Sequence, residues 1–255
     1  MYVRSRREVD RVLALVGKGH ADTVIARMTG IPRSTIREWR IGLLPGARRG
    51  DTGLDGRARA CPICLPGSVE LPSADYAYLL GLYLGDGCVS KGARTYRLRI
   101  FLDAAYPGIV VGCRDALEAV RPGQLALARL SRSSRCYEVG MYSNHWPCLI
   151  PQHGPGRKHQ RRIAVVGWQA DIVDVQRVEF VRGLIHSDGC RIVAHDRGVK
   201  SVRYHFSNRS EDIKTLYCES LDALGVRWTR PSDRQIAVYR KSSVAILEDL
   251  IGPKR

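Results

Sequence analysis

Apolar and polar residues repeat the same order of patterns twice along most of this chain. Strands are predicted where every second residue is apolar, and helices where apolar residues recur every three to four positions. The predicted elements are strand, helix and strand in each half: 96–102, 108–120 and 136–142, then 202–208, 211–224 and 235–240. Because the first strand of each half is apolar on one face and polar on the other, each half is expected to hold an antiparallel sheet with one face on a core.

Two nine-residue stretches precede these strands and are the clearest part of the repeat. Residues 79–87 (LLGLYLGDG) and 181–189 (VRGLIHSDG) are each largely apolar, carry glycine at the third position and end in Asp-Gly. We expect a helix over 73–85, N-capped by Ser73, and a second helix over about 178–187. A repeat at this long period predicts two equivalent half-domains within one chain.

Glycines lie in the middle of both predicted helices and just after them. Gly81 and Gly183 each cost about 1 kcal/mol relative to alanine in a helix interior, so the two helix backbones are expected to approach closely there. Gly87 and Gly189 follow the helices, where a left-handed C-cap favours glycine. Both helices are apolar nearly all round and are therefore expected to be buried against each other.

Each predicted helix ends in an acid, Asp86 or Asp188. The negative end of the helix dipole disfavours an acid there, and two carboxylates brought together by parallel helices would repel each other. A divalent cation bound between them would relieve both effects, and oxygen ligands suit magnesium. The alternative is that the two Asp-Gly pairs serve only as helix stops, but their recurrence in both copies favours the paired site.

The charge balance points to an anionic partner. The sequence holds 41 Lys and Arg against 25 Asp and Glu, a formal net charge of +16, and nucleic acid is the usual partner for such a balance. We expect no membrane association, because no 18-residue apolar run and no basic amphipathic helix is present. The charged first residues do not form a signal peptide, and eight scattered cysteines suit a reducing compartment, so we expect a location in the bacterial cytoplasm, at the nucleoid.

Basic side chains take the polar face of the first predicted strand in each half. Arg97 and Arg99 alternate with apolar residues in the first half, and Arg203 and His205 do so in the second. Two such faces side by side would form a groove suited to the phosphate backbone of DNA. An ordinary solvated face is the alternative interpretation.

A second basic stretch, 153–163 (HGPGRKHQRRI), joins the two halves. Arg157 and Lys158 in this stretch are predicted to contact the DNA backbone, because the charge is dense and of one sign. A solvated linker without a DNA role is the alternative.

Residues 20–42 (HADTVIARMTGIPRSTIREWRIG) fit a helix-turn-helix, with Gly30 at the turn and Pro32 at the start of the second helix. Trp39 is expected to pack inside. The side chains predicted to face the major groove of DNA are Arg33, Ser34, Thr35 and Arg37. A short amphipathic hairpin without a DNA role is the alternative, but 13 basic and six acidic residues within 1–60 favour DNA binding.

Cys61 and Cys64 (CPIC) have the spacing of half a zinc site. A structural site needs four ligands, and the chain has no second CxxC pair. The fold alone could complete the set, with candidates His145, Cys148, His153 and His159. Two reduced loop thiols are therefore the favoured interpretation, and zinc the alternative.

The two nonapeptides resemble the paired LAGLIDADG motifs of single-chain homing endonucleases, and the resemblance covers roughly 73–255. It implies an α+β fold: a pseudo-twofold pair of αββαββα half-domains whose saddle-shaped antiparallel sheets straddle double-stranded DNA. It also implies that Asp86 and Asp188 bind two or three Mg²⁺ ions for phosphodiester hydrolysis. Leu84 and His186 stand where the family has a further aspartate that is not essential.

Other site residues follow from the same resemblance. Gly85 and Ser187, which precede the two acids, are expected to join them as metal ligands. The family uses polar and basic residues at strand ends near the metals to orient water. Asn208 and Asp103 lie near the expected place, and the lysines that could supply positive charge are Lys158, Lys200 and Lys241. Asn208 and Lys241 are the catalytic candidates, and an ordinary surface lysine is the alternative interpretation of each lysine.

The sequence thus predicts four regions: a helix-turn-helix domain (1–45), a linker with the CPIC segment (46–72), and two LAGLIDADG-like halves (73–165 and 166–255). The chain lacks the terminal residues of an intein, so we expect a free-standing protein, and we expect a monomer. The predicted function is a site-specific, metal-dependent DNA endonuclease. The alternatives are a DNA-binding transcription regulator that keeps the fold without cutting, and an RNA maturase-like protein.

Overall fold

The computed structural model describes residues 6–40, 61–64, 70–131, 135–196, 198–252 and 254. Within the predicted helix-turn-helix domain and linker, residues 1–5, 41–60 and 65–69 lie outside the described residues. The chain divides into two compact units, Met1–Arg59 with Gly123–Leu125, and Ala60–Pro122 with Ala126–Arg255. In the described parts of the chain, no helix has both the length and the apolar character needed to cross a membrane.

The described residues of the first unit form three helices, α1 (Arg6–Gly17), α2 (Asp22–Thr29) and α3 (Arg33–Arg40). Gly30 ends α2 in the left-handed region, at φ 69°, where glycine avoids the strain that a Cβ would cause. The helices enclose a small core of Val9, Val12, Ile25, Ile31, Ile36 and Trp39. Trp39 is therefore inside, as predicted, whereas a DNA-binding helix-turn-helix remains a prediction.

The second unit repeats one order of elements twice, helix, two strands, helix, two strands, helix. The first half holds α4 (Ser73–Asp86), β1 (Gly87–Lys91), β2 (Tyr96–Asp103), α5 (Pro107–Val120), β3 (Leu127–Leu130), β4 (Cys136–Tyr142) and α6 (Trp146–Leu149). A 3-10 turn (Lys158–Gln160) and α7 (Gly167–Val175) connect the halves. The second half holds α8 (Arg177–Asp188), β5 (Gly189–Asp196), β6 (Val199–Ser207), α9 (Glu211–Ala223), β7 (Thr229–Ser232), β8 (Gln235–Val238) and α10 (Lys241–Ile251).

Each half forms one four-stranded antiparallel sheet, in the orders β1-β2-β4-β3 and β5-β6-β8-β7. The predicted mixed α/β fold with two antiparallel sheets is confirmed. The central strands β2 and β4 place Leu98, Ile100, Val139 and Met141 in the core, as their alternation requires. The edge strands β3 and β7 have no alternation, since all four residues of each are exposed. The αββαββα order implied by the resemblance includes them, but the pattern of apolar residues did not place them.

Helices α4 and α8 pack against each other through backbone rather than side chains. In α4, nine consecutive residues from Tyr76 to Leu84 are buried. A Cβ on Gly81 would lie 2.5 Å from the carbonyl oxygen of Phe180, and a Cβ on Gly183 would overlap the carbonyl oxygen of Tyr78. The predicted close approach of the two helices at these glycines is confirmed.

The predicted left-handed C-caps are wrong. Gly87 and Gly189 have φ of −95° and −94°, which is extended backbone, and they begin β1 and β5 directly after the helices. Glycine is required here by space: a Cβ would lie 2.5 Å from Cα of Tyr83 in the first half and 2.6 Å from Cα of Ile185 in the second. Each strand turns so sharply from its helix that it passes over the helix's last turn.

The predicted N-cap of α4 is also wrong. Ser73 is the first helical residue, and Pro72 holds the N-cap position without a side-chain hydrogen bond. The Ser73 hydroxyl instead accepts a hydrogen bond from the Gln176 amide at 3.2 Å, just before α8 begins. The serine therefore links the starts of the two central helices.

Candidate functional site

The two motif aspartates lie at the ends of the packed helices, Asp86 as the last residue of α4 and Asp188 as the last residue of α8. The helix ends touch, because a Cβ on Gly85 would overlap the Ser187 side chain and lie 3.1 Å from Oδ2 of Asp188. Both aspartates line one open cavity of about 460 Å³. The structure therefore brings together the two carboxylates that the repeat predicted to be paired.

Burial and mutual repulsion act on this pair. Burial, and after it the charge of Asp86, raise the pKa of Asp188 to about 6, although the Asn208 amide and the neighbouring lysines lower it. Burial also raises the pKa of Asp86, which two lysines lower. The carboxylates are thus held in a place that disfavours two negative charges, and a divalent cation would reverse that effect.

Two lysines reach the ends of the two helices. Nζ of Lys158 donates hydrogen bonds to the carbonyl oxygens of Leu84 at 2.9 Å and Gly85 at 2.8 Å, and also to that of Tyr83. In the second half, Nζ of Lys254 donates to the carbonyl oxygen of Ile185 in α8 at 3.4 Å and to that of Gly189, just after the helix, at 2.8 Å. Each ammonium satisfies carbonyls at the negative end of a helix.

The two lysines are also the cations that act on both carboxylates. Burial lowers the pKa of Lys158 to about 8, although Asp188 and Asp86 raise it. Burial lowers the pKa of Lys254 as well. Lys158 is therefore a cation whose pKa lies close to neutral pH, beside the two acids. Lys158 was predicted as a DNA contact and as one of three lysines that could supply positive charge near the metals, but a basic segment far along the chain carries no spacing signal that ranks it above the other two.

Asn208 lies directly after β6 and fixes one carboxylate. Its Nδ2 donates a hydrogen bond to Oδ2 of Asp188 at 2.5 Å, while its Oδ1 accepts from the backbone N–H of Ser210 at 2.7 Å. The amide is thus held at both ends and orients Asp188. Asn208 was predicted near the site, and the structure brings it there.

The two expected additional metal ligands take different places. Gly85 lines the main cavity, but its carbonyl oxygen already accepts a hydrogen bond from Lys158. The hydroxyl of Ser187 donates to the carbonyl oxygens of Gly183 and Leu184, both at 3.0 Å, and so points back along its own helix. Ser187 lines a second cavity of about 170 Å³, which Asp86 also lines. Their role as metal ligands remains a prediction.

The structure does not bring Lys241 to the two acids. It begins α10 and is not among the residues that line either cavity in the described part of the chain. Three arginines line the main cavity instead: Arg157, Arg161 and Arg209. Arg157 was predicted as a DNA contact, but Arg161 and Arg209 were not singled out, although Arg209 follows Asn208 directly.

The predicted DNA-contacting residues of the sheets form two matching pairs with tyrosines. The guanidinium of Arg97 lies 5.1 Å from the centre of the Tyr142 ring, and that of Arg203 lies 5.5 Å from the Tyr239 ring. Nδ1 of His205 accepts a hydrogen bond from the side-chain amide of Gln235 at 3.1 Å. Both sheets therefore carry an arginine over an aromatic ring on the face opposite the core.

The outer face of the first sheet carries an acid, Glu138, and the matching position of the second sheet has no acid. Oε1 of Glu138 lies 2.5 Å from Arg97, and its Oε2 lies 3.9 Å from Arg99. Sequence analysis missed this acid, although Glu138 alternates with core residues of β4 and so shares the outer face with the arginines. The ion pair offsets part of the positive charge of the first sheet.

In the first unit, the four predicted groove residues lie on α3. Arg33, Ser34 and Arg37 are exposed and Thr35 is half-buried, while Ile36 is buried on the other side of the helix. DNA contact by these residues remains a prediction. Arg40 ends the helix in an ion pair with Asp22 at 2.7 Å.

The CPIC cysteines meet two of the candidate partners. Cys61, Cys64, His145 and Cys148 bring one ligand atom each into a group whose members all lie within 4.8 Å of one another. His153 and His159 are elsewhere: the His153 ring bonds the Ile150 carbonyl, and His159 lines the main cavity.

No protein-family model matches the chain, and no curated protein matches it either. Several solved structures are similar to it. Mesophilic variants of the homing endonuclease I-DmoI share 16% identity with a TM-score of 0.44, covering 71% of this chain and 96% of theirs. The homing endonuclease I-WcaI, bound to its DNA recognition sequence, shares 12% identity with a TM-score of 0.48, covering 73% and 84%. The N-terminal LAGLIDADG domain of WhiA shares 14% identity with a TM-score of 0.45, covering 79% and 91%. The solved structures similar to this chain thus include both homing endonucleases and a LAGLIDADG domain of another protein.

Proposed function

We propose that this protein is a site-specific DNA endonuclease that acts as a monomer and hydrolyses phosphodiester bonds of double-stranded DNA with divalent metal ions, Mg²⁺ in the cell. The observation that carries the proposal is the meeting of Asp86 and Asp188 at the ends of two packed helices, in an open cavity lined by arginines. Folding alone gains nothing from two buried carboxylates that repel each other.

The residues present fit a hard divalent cation. The donors are two carboxylates that face one cavity, and oxygen ligands are those that Mg²⁺ prefers. Repulsion from Asp86 helps to raise the pKa of Asp188. A cation bound between the two carboxylates would be attracted by both and would remove that repulsion. Gly85 and Ser187 are proposed to add to the donor set.

A bound cation supplies an activated water and stabilises the negative charge that develops on the phosphate oxygens. The residues of the chain would do the rest. Arg157 and Arg209 would hold phosphates at the cavity, and Asn208 keeps the Asp188 carboxylate in one orientation. Lys158, whose ammonium is held at the end of α4 beside both acids, would stabilise the negative charge that develops on the leaving oxygen.

The proposal of DNA as the partner rests on the chain's own charge. The net charge is +16, and each sheet presents an arginine over a tyrosine ring on its outer face. Such residues bind phosphates and stack on bases without requiring one sequence. We propose that Arg99 and His205 extend the same faces, and that α3 adds contacts through Arg33, Ser34, Thr35 and Arg37.

One observation favours a second candidate, a DNA-binding regulator that does not cut. Lys158 and Lys254 already supply two positive charges to the two carboxylates, and each caps a helix end. The four groups form a balanced network that would be compatible with the fold without any metal. The same DNA-binding surfaces would then serve only for recognition.

Cleavage of a randomised duplex library in Mg²⁺ separates the two candidates. The parent protein is compared with Asp86→Asn, Asp188→Asn and Asp171→Asn, the last being an exposed aspartate on α7 that serves as a matched control. We expect cutting by the parent and the control only, with DNA retention unchanged in all four proteins. If the parent retains DNA and never cuts it, the endonuclease proposal fails and the regulator remains.

A further inference from the structure

Four metal-binding side chains meet away from the two aspartates. Cys61 and Cys64 come from the CPIC segment before α4, and His145 and Cys148 come from the corner between β4 and α6. Cys61 is fully buried, His145 and Cys148 are half-buried, and Cys64 is exposed. The fold brings a C-x-x-C pair and an H-x-x-C pair together from distant parts of the sequence, since Cys64 and His145 are 81 positions apart.

The two sulfur-to-nitrogen distances fit a tetrahedral ion with sulfur and nitrogen ligands. Zinc bonds of about 2.3 Å to sulfur and about 2.0 Å to nitrogen place S and N about 3.5 Å apart. Nδ1 of His145 lies 3.5 Å from Sγ of Cys64 and 3.9 Å from Sγ of Cys148. The Cys64 and Cys148 sulfurs, 2.9 Å apart, are well beyond a disulfide bond of about 2.05 Å but closer than the roughly 3.8 Å between two zinc-bound thiolates, so the exposed Cys64 side chain must move by about 1 Å to admit the ion.

The corner that supplies two of the ligands is held firmly by its own bonds. The His145 backbone N–H donates to the Ser143 hydroxyl at 3.1 Å, and the carbonyl of His145 accepts from Leu149 at 3.0 Å. Trp146, between the two ligands, is fully buried and donates its indole N–H to the Met141 carbonyl at 2.9 Å. The imidazole and the Cys148 thiol are thus presented on a rigid frame.

We propose that Cys61, Cys64, His145 and Cys148 form a structural Zn²⁺ site. Three thiolates and one imidazole are a ligand set that selects zinc, and four protein ligands leave no open position for catalysis. The ion joins residues 61–64 to the β4–α6 corner of the first half. It therefore anchors the chain just before α4, the helix that ends in Asp86, and it is independent of any ion held by the aspartates.

Metal analysis of the full chain, purified without chelator and dialysed, tests this assignment. We expect one zinc per chain in the parent, and loss of that zinc in Cys64→Ser and Cys148→Ser. Cys190→Ser, an exposed cysteine on β5, is the control and retains the metal. Cys64 is exposed, so its variant keeps the fold even if substitution of the buried Cys61 prevents folding.

Replacement of zinc by Co²⁺ gives a second readout that a purely structural role of the thiols would not produce. The parent and Cys190→Ser should show thiolate-to-cobalt absorption and the visible bands of tetrahedral cobalt, and Cys148→Ser should lose intensity in both. Zinc in fewer than half of the chains after dialysis against zinc overturns the proposal. So does equal zinc content in all the variants, or a Cys64–Cys148 disulfide in peptide maps of the non-reduced protein.

Discussion

Substitution of Gly81 by alanine tests the contact on which the paired site depends. The new Cβ would lie 2.5 Å from the carbonyl oxygen of Phe180 and 2.8 Å from the backbone nitrogen of Leu184. Both atoms are helix backbone, so no side-chain rotation can make room, and α4 and α8 must move apart. Overpacking of this kind costs about 3 kcal/mol at the upper end of the usual range.

The helix propensity of alanine offsets part of that cost, by about 1 kcal/mol. We therefore expect Gly81→Ala to lower the free energy of unfolding by about 2 kcal/mol, which corresponds to a Tm about 4–8 °C lower for a unit of this size. Gly112→Ala on α5 is the matched control, because its Cβ would meet only the Tyr78 side chain, at 3.6 Å. The control should be as stable as the parent or slightly more stable.

Thermal unfolding of the three full-length proteins, followed by circular dichroism, measures both effects. The reasoning is refuted if Gly81→Ala melts at or above the temperature of the parent, or if Gly81→Ala and Gly112→Ala shift the Tm equally. Either result would mean that the helix backbones do not touch at this glycine.

Three further predictions follow from the site. The folded-state pKa of Asp188 is raised to about 6, so without divalent metal the folded state binds a proton that the unfolded state has already lost at about pH 5. The free energy of unfolding should therefore fall as pH rises from about 4 to 6, by up to about 3 kcal/mol. Urea unfolding at a series of pH values should show this fall in the parent and its removal in Asp188→Asn. Lys158→Met should lower the cleavage rate at least tenfold and change its pH profile, whereas Lys241→Met should cost much less in the same assay. Arg203→Ala should reduce the slope of the logarithm of the DNA-binding constant against the logarithm of the salt concentration by about one. Arg97→Ala should reduce that slope by less, because Glu138 already pairs with Arg97.

Each of these predictions has an outcome that contradicts it. Equal pH dependence of stability between about pH 4 and 6 in the parent and in Asp188→Asn would mean that burial and the charge of Asp86 do not raise the pKa of Asp188. Equal loss of cutting in the two lysine variants would remove Lys158 from the reaction. Equal salt slopes for the two arginine variants would show that the Glu138 ion pair does not compete with DNA.

The sequence predicted those elements whose side chains alternate between core and solvent. The central strands β2 and β4 and the helices α5 and α9 were placed within a few residues, because burial imposes a period that the sequence records. The pattern of apolar residues did not place the edge strands β3 and β7, because both faces are exposed and no period is imposed. The strands β1 and β5 were missed because they begin directly from a helix, without a turn.

The candidate site could be predicted only where a repeat marked it. Asp86 and Asp188 recur at the same place in two motifs, so their pairing followed from two equivalent helices. Lys158 lies far along the chain from both motifs, so no local pattern encodes its effect on the carboxylates, and the same holds for Arg161, which lines their cavity. The glycines after the acids were identified, but for the wrong reason, since φ at Gly87 depends on how β1 leaves α4.

The central claim is that Asp86 and Asp188 together hold a divalent cation, and Mn²⁺ titration followed by electron paramagnetic resonance tests it most directly. The titration is done at neutral pH with zinc-loaded protein and a duplex DNA. The account predicts that Asp86→Asn and Asp188→Asn each weaken Mn²⁺ binding at least tenfold, while Asp171→Asn binds as the parent does. Equal Mn²⁺ binding by all four proteins, or no binding by the parent, would contradict it.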